Sequence, residues 1–228
     1  MDINSIAVID IEAITAPWWK EVEEEAALKF PPLPSWLPCV IGCWAVDLPK
    51  GGSLSYASHT AYGEPGDISW EKAALVDVGE VIQTSDIVVT FNGRSYDMPL
   101  LQLRALATAT PWAFWERYKQ RYPNYYNPLL HIDLAEMLTD YGAGTRFKLD
   151  YLIKMVDEHS TSHIAGKGDM DGSKVEETWQ QPGGPEKVKA YCDDDVKRTL
   201  QLYIRWMYIH GDASKEDVKR WVLQLDEV

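Results

Sequence analysis

Tyr191 and Asp195 stand four residues apart in Lys189-Ala190-Tyr191-Cys192-Asp193-Asp194-Asp195, a spacing that in a helix puts a phenol and a carboxylate on one face. The pair is costly to bury but useful at a metal ion, where the carboxylate ligates and the hydroxyl orients a water. Three more carboxylates stand where the chain turns: Asp10 and Glu12 close the first apolar run, and Asp97 follows Asn92-Gly93 after a later one. Asp10 and Glu12 are two apart, so an extended segment points both to the same side. Like charges held that close repel unless cations lie between them. Two Mg²⁺ or Mn²⁺ ions bound by Asp10, Glu12, Asp97 and Asp195 would neutralise four carboxylates and leave positions for water and phosphate oxygens.

An all-oxygen ligand set disfavours zinc and suits in-line hydrolysis of a phosphodiester: one ion lowers the pKa of the attacking water and the other stabilises the leaving oxygen. With a reference pKa near ~10, Tyr191 would act by positioning rather than as a phenolate. Asp193 and Asp194 are rotated away from the Tyr191 face and read as solvated or supporting groups.

The elements that must position these side chains follow as strand, hairpin, helix, strand, helix, an α/β pattern. In such sheets sites gather at the C-terminal ends of strands. Residues 5–10 read as a buried strand ended by the two carboxylates. Residues 16–38 read as a short helix and then an extended Pro-rich loop, with a solvated acidic cluster at Glu21 and residues 23–25. Strands over 40–46 and 54–58 are joined as a hairpin by Pro49-Lys50-Gly51-Gly52. A helix over 67–83 turns Trp70, Ala73, Ala74, Val78, Val81 and Ile82 inward, and 87–91 is another strand.

Pro99 opens a helix that lines up Leu100, Leu103, Leu106 and Ala107, with Asp97 at its mouth. An aromatic helix over 112–122, a short strand over 129–134 running into a helix over 134–139, a helix over 148–156 and a polar loop over 159–172 follow. A long helix over 186–210, with Val188, Cys192, Thr199, Tyr203 and Trp206 inward, stops at Gly211, and 214–225 makes a last amphipathic helix.

The 228 residues are enough for one domain with a substantial core, expected over about 5–210, with 16–38 as an insertion and 212–228 as a C-terminal helix. A net charge of −13 argues against groove-filling, nonspecific binding of nucleic acid. The deficit is uneven, however: residues 94–174 carry ten Lys/Arg and ten Asp/Glu. Bound cations would also reverse the sign of an acidic pocket toward a polyanion.

Cys39, Cys43 and Cys192 follow no zinc spacing; in a strand the first two share a face about 13 Å apart, too far for a disulfide. Three unpaired thiols, no apolar run of membrane length and no basic flank before the first apolar run make the cytoplasm the expected compartment, with no membrane partner.

Asp10-x-Glu12, Asn92-Gly93-x-x-Tyr96-Asp97 and Tyr191-x-x-x-Asp195, in that order on those elements, resemble the three exonuclease motifs of the DEDD superfamily of 3′-to-5′ exonucleases. Tyr191 points to the tyrosine-containing (DEDDy) branch, and Ala190 stands where the other branch carries its His. Residues 92–101, 131–134 and 191–202 look most like the stand-alone relatives of the proofreading domain of family-B DNA polymerases. The resemblance runs from about residue 5 to residue 208.

It implies a ribonuclease-H-like fold, a central mixed β-sheet flanked by α-helices. It also implies two divalent cations held by Asp10, Glu12, Asp97 and Asp195, and Tyr191 holding the water. The expected activity is release of nucleoside 5′-monophosphates from 3′ ends of single-stranded nucleic acid, with DNA preferred over RNA by family likeness. A replication or repair protein is a further expected partner. The alternative is a catalytically weak nucleic-acid-binding or polymerase accessory module of the same fold.

Around this set, Asn92 serves the turn or contacts the terminal nucleotide, and Arg94, Lys148, Lys167 and Lys174 are candidates for phosphate contact. His131 and Asp133 read as structural. His159 and His163 have helical metal spacing but sit in a polar loop. Tyr96, Phe91 and Leu101 could stack on or wedge against a base, or pack in the core.

Overall fold

The computed structural model describes residues 4–26, 31–112, 131–141, 143–145, 147–158, 170 and 172–226. Among these residues the sheet has six strands: β1 (Ser5–Thr15), β2 (Trp36–Asp47), β3 (Ser55–Ser58), β4 (Ala61–Tyr62), β5 (Ile87–Thr90) and β6 (His131–Asp133). The order is β3–β2–β1–β5–β6, with β4 paired to β2 off that path. Pairing is antiparallel between β1 and β2 and parallel from β1 through β5 to β6, so the sheet is mixed. Helices flank it: α1 (Pro17–Ala26), α2 (Ile68–Thr84), α3 (Asp97–Thr108), α4 (Leu134–Leu138), α5 (Leu149–Glu158), α6 (Val175–Trp179), α7 (Gly184–Ile209) and α8 (Lys215–Asp226). This is the expected α/β class. No helix among the described residues is long and apolar enough to cross a membrane.

β1 divides the core in two because its side chains alternate. Ala7, Ile9, Ile11 and Ala13 pack with Leu75, Val78 and Ile82 of α2 and with Met98 and Leu101 of α3. Ile6 and Val8 face the other way, onto Val196 and Leu200 of α7 and Trp221 of α8. Continuing that alternation puts Asp10 and Glu12 on the α7 side, where they interrupt an otherwise apolar face.

Several elements depart from the sequence expectations. β1 does not stop at Asp10 but runs to Thr15, because β2 keeps pairing with it as far as Trp36 after the parallel pairing with β5 has ended at Val8. The carboxylates therefore lie mid-strand, just past the end of the parallel ladder. Trp36, Leu37 and Pro38 belong to β2 rather than to a loop.

A bulge between Glu12 and Ala13 pairs Val40 with Glu12 and Pro38 with Ala13, leaving Cys39 extra. Cys39 and Cys43 accordingly do not share a face: Cys39 packs with Val188 and Cys192, Cys43 with the α2 cluster.

Ala73 is exposed and Leu75 takes its place inside α2. In α3 Leu100 is buried as expected, together with Met98, Leu101 and Ala105, while Leu106 is 79% exposed and Ala107 is also outside. In α7 Val188, Cys192, Thr199, Tyr203 and Trp206 are all buried as expected, and Gly211 beyond the helix end has the left-handed φ of 79° that suits glycine. The expected helix over 112–122 and the loop carrying His159, His163 and Lys167 lie outside the described residues, apart from Trp112 at the start of the first.

Candidate metal and nuclease site

β1 presents Asp10 and Glu12 toward α7, and α7 returns Asp195 to meet them. Among the described residues, ligand oxygens of Asp10, Glu12 and Asp195 lie within 4.8 Å of one another, the arrangement of a cation site. Among the described residues no histidine or cysteine joins this trio, and its donors are hard oxygens suited to Mg²⁺-like ions.

The close approach of α7 to β1 depends on Gly42, the residue paired with Asp10 across the β1/β2 ladder. A Cβ there would come within 2.7 Å of Cys192 Sγ, 3.0 Å of Val196 Cγ2 and 3.3 Å of the Asp10 carbonyl oxygen. Cys192, fully buried, donates its thiol to that same carbonyl at 3.5 Å. Gly42→Ala is expected to push α7 off β1, costing about 1–3 kcal/mol of stability and moving Asp195 away from Asp10. Urea denaturation and a nuclease assay on the variant measure both effects; parental values in both would show that the contact is not what sets the spacing.

Asp97 is not one of the trio. It is the first residue of α3, which leaves β5 by the turn Asn92-Gly93-Arg94 and packs on the opposite face of the sheet. Only 5% exposed, its carboxyl comes close enough to Asp10 to feel that charge. Burial, and after it Asp10, hold its pKa well above the ordinary carboxylate range, while the backbone N–H groups of Asp97 and Ile11 pull the other way. The Ile11 contact links Asp97 to β1 beyond the point where β5 stops pairing. Oδ1 of Asp97 is buried with no hydrogen-bond partner among the described residues, a costly state for a carboxylate oxygen that a cation would relieve.

Tyr191 is 9% exposed and donates its hydroxyl to Asp195. Burial, then the charges of Asp195, Glu12 and Asp10, push its pKa up. The raised pKa keeps it a neutral phenol at ordinary pH.

Two side chains support the site from behind. Arg198, 2% exposed, stands behind Asp195 on α7: its guanidinium lies 2.7 Å from Asp194, 3.7 Å from Asp150 on α5 and 3.8 Å from Asp195. Its i+3 and i+4 spacing from Asp195 and Asp194 was a readable signal, whereas the contact with Asp150 was not. Asp133 is the second: its carboxylate accepts from the backbone N–H groups of Asn92 at 2.9 Å and Arg94 at 2.8 Å, and also caps α4. Asp133 thereby fixes the turn that delivers Asp97, and His131, bonded to Thr90 Oγ1 at 2.9 Å, ties the same strands together.

Of the substrate candidates, Asn92 is exposed in a left-handed conformation, φ 64°, and accepts from Ser95 Oγ at 2.9 Å. Arg94 is turned inward onto Glu136 at 2.7 Å and the His131 carbonyl, so it holds the turn instead of offering a phosphate contact. Lys148 and Lys174 are exposed, at the starts of α5 and α6. Asp193 accepts from Trp44, Thr60 and Lys189, away from the trio. Leu101 is buried, Tyr96 packs edge-on against Trp36 and Phe91 against Phe147, which places all three in packing.

The family model for predicted 3′-5′ exonucleases related to the exonuclease domain of PolB matches residues 69–228. The chain belongs to that family. The match takes in Asp97, Tyr191 and Asp195, while Asp10 and Glu12 lie ahead of it. Among solved structures, the family B DNA polymerase of the hyperthermophilic archaeon Pyrobaculum calidifontis is similar, with a TM-score of 0.54 and 16% identity over 90% of this chain. The chain spans 24% of that polymerase's length, and the likeness is one of fold, the ribonuclease-H-like arrangement of a polymerase exonuclease domain. No curated protein matches the chain.

Proposed function

We propose that this chain, as a single domain, is a metal-dependent 3′-to-5′ exonuclease of the tyrosine-containing DEDD branch. It releases nucleoside 5′-monophosphates from single-stranded 3′ ends, of DNA in preference to RNA. The observation that carries this reading is the meeting of Asp10, Glu12 and Asp195 within 4.8 Å in a chain of the PolB-related exonuclease family. The donor set and the orphaned Asp97 Oδ1 fit two divalent cations, Mg²⁺ or Mn²⁺, held by Asp10, Glu12, Asp97 and Asp195. Bound there, the cations supply activation of water and stabilisation of the leaving oxygen.

The residues divide the remaining work. Asp10 and Glu12, on one face of one strand, set a fixed spacing on the rigid sheet. Asp195 and Tyr191, one turn apart on α7, close the opposite wall, and the neutral Tyr191 hydroxyl orients the attacking water by hydrogen bonding. Oligonucleotides labelled at the 5′ or the 3′ end, incubated with Mg²⁺, Mn²⁺ or EDTA, test the reading. Mononucleotide release from the 3′ end that stops in EDTA is the expected result, with a circular single strand left intact. Binding that ignores EDTA and yields no product would make the chain a binding module instead.

Cations should also stabilise the fold. Asp97 has a folded pKa above its unfolded value, so its contribution is present at low pH and is lost as pH rises through the raised value. The cation-free protein should therefore lose stability as pH rises above the ordinary carboxylate range. Mn²⁺ or Mg²⁺ at a hundredfold excess over its dissociation constant should restore about 2.7 kcal/mol. Thermal melts in EDTA and in Mn²⁺ between about pH 5 and pH 8 measure this; a cation effect absent at the upper end would count against the site.

A further inference from the structure

Helix α5 has two unlike faces. Leu152 and Ile153 are buried, with Leu149 and Val156 packed on the same cluster. On the outer side Tyr151 is 61% exposed and Met155, one turn later, 54%. Lys154 and, just ahead of the helix, Lys148 are exposed beside them. At 100° per residue these four side chains occupy an arc of about 120°, within which the position of Glu158 at the end of the helix also falls.

An outer face is ordinarily polar throughout, and a phenol ring and a thioether set between two ammonium groups suit a ligand that alternates flat apolar groups with anions. A single-stranded polynucleotide has that chemistry: bases stack on aromatic rings and phosphates take lysines. Charge complementarity favours it, since two lysines against Glu158 leave this face net positive in a chain of net charge −13. Its place in the fold does too. Asp150, in the first turn of α5, is 3.7 Å from Arg198, which is 3.8 Å from Asp195, so the face begins two ion pairs from the acidic trio.

We propose that the Lys148–Tyr151–Lys154 face of α5 holds the substrate strand on the 5′ side of the bond being cut, with a base on Tyr151 and Met155 and a phosphate on each lysine. The proposal rests on the exonuclease reading, and its test separates the two. The full chain is compared with Tyr151→Ala, with the double variant Lys148→Glu/Lys154→Glu, and with Lys72→Glu, an exposed lysine on α2 across the sheet.

Two substrates are used, a single-stranded oligonucleotide and the p-nitrophenyl ester of thymidine 5′-monophosphate, which fills only the cleavage site. Tyr151→Ala should raise KM for the oligonucleotide about tenfold with kcat nearly unchanged. The double lysine variant should flatten the dependence of log affinity on log salt by about 1.4, two phosphates' worth for a single strand. Neither should alter turnover of the ester, and Lys72→Glu should alter nothing.

Parental KM and salt slope in the variants would overturn the proposal, as would equal losses on both substrates, which mark a structural role. If the parent hydrolyses neither substrate, the exonuclease reading fails by itself. Fluorescence anisotropy of the oligonucleotide in EDTA then decides the surface: affinity lost in the same variants supports it, and affinity unchanged overturns it.

Discussion

Asp10→Asn is expected to reduce mononucleotide release by on the order of 10³-fold or more while making the cation-free protein more stable than its parent. The loss follows from removing a proposed ligand that shares its cluster with Glu12 and Asp195 and acts on Asp97. The gain has the same origin. Two unit charges 4.8 Å apart repel by about 3 kcal/mol at an effective dielectric of ~20, and Asn keeps the shape of Asp without the charge. A gain of about 1–3 kcal/mol in EDTA is expected after solvent relaxation. Urea denaturation in EDTA and a single-turnover nuclease assay in Mn²⁺ read the two effects. Asp195→Asn should lose activity to a similar degree but gain less stability, because its charge also faces Arg198 at 3.8 Å. Full activity in either variant would sink the assignment of the trio.

Arg198→Met should be the most destabilising single change near the site. It leaves Asp194, Asp150 and Asp195 facing a position where a guanidinium, 2% exposed, had balanced them. Breaking a buried ion pair from one side costs about 3–5 kcal/mol, a large share of the ~5–15 kcal/mol that holds a domain together. For a chain of this size the melting temperature should fall by roughly 10 °C. Arg198→Lys, which keeps the charge but loses the planar fork, should fall between the two. A cycle with Asp150→Asn isolates the tie between α5 and α7; zero coupling would mean that the 3.7 Å contact contributes nothing.

These two expectations differ in how they could be reached from the chain alone. Asp10, Glu12, Tyr191 and Asp195 were legible because local periodicity decides them: two apart in a strand and four apart in a helix put side chains on one side whatever the rest of the fold does. The same reasoning located α7 and its inward residues, since a helix of that length has one strongly apolar stripe. It held only in part in α3, where apolar residues lie on more than one side; docking against α2 and β1 buries Leu100 as expected but adds Met98 and Leu101 and leaves Leu106 in solvent. Arg94 looked like a phosphate contact because an arginine beside a glycine turn usually points outward, and only the nearness of Glu136 and the His131 carbonyl turns it in.

By itself, then, the amino-acid order determined the chemical kind of the centre, an oxygen-only acidic cluster with a phenol, and the class of fold that bears it. Tertiary structure decided what no local spacing encodes. β1 extends beyond its carboxylates because β2 continues beside it, and the bulge at Glu12/Ala13 parts Cys39 from Cys43. Gly42 admits α7 to within reach of Asp10, and Arg198 ties that helix to α5. Each of these depends on which surface a residue meets across the fold. That is a matter of long-range packing, in which contacts form between segments far apart in the chain.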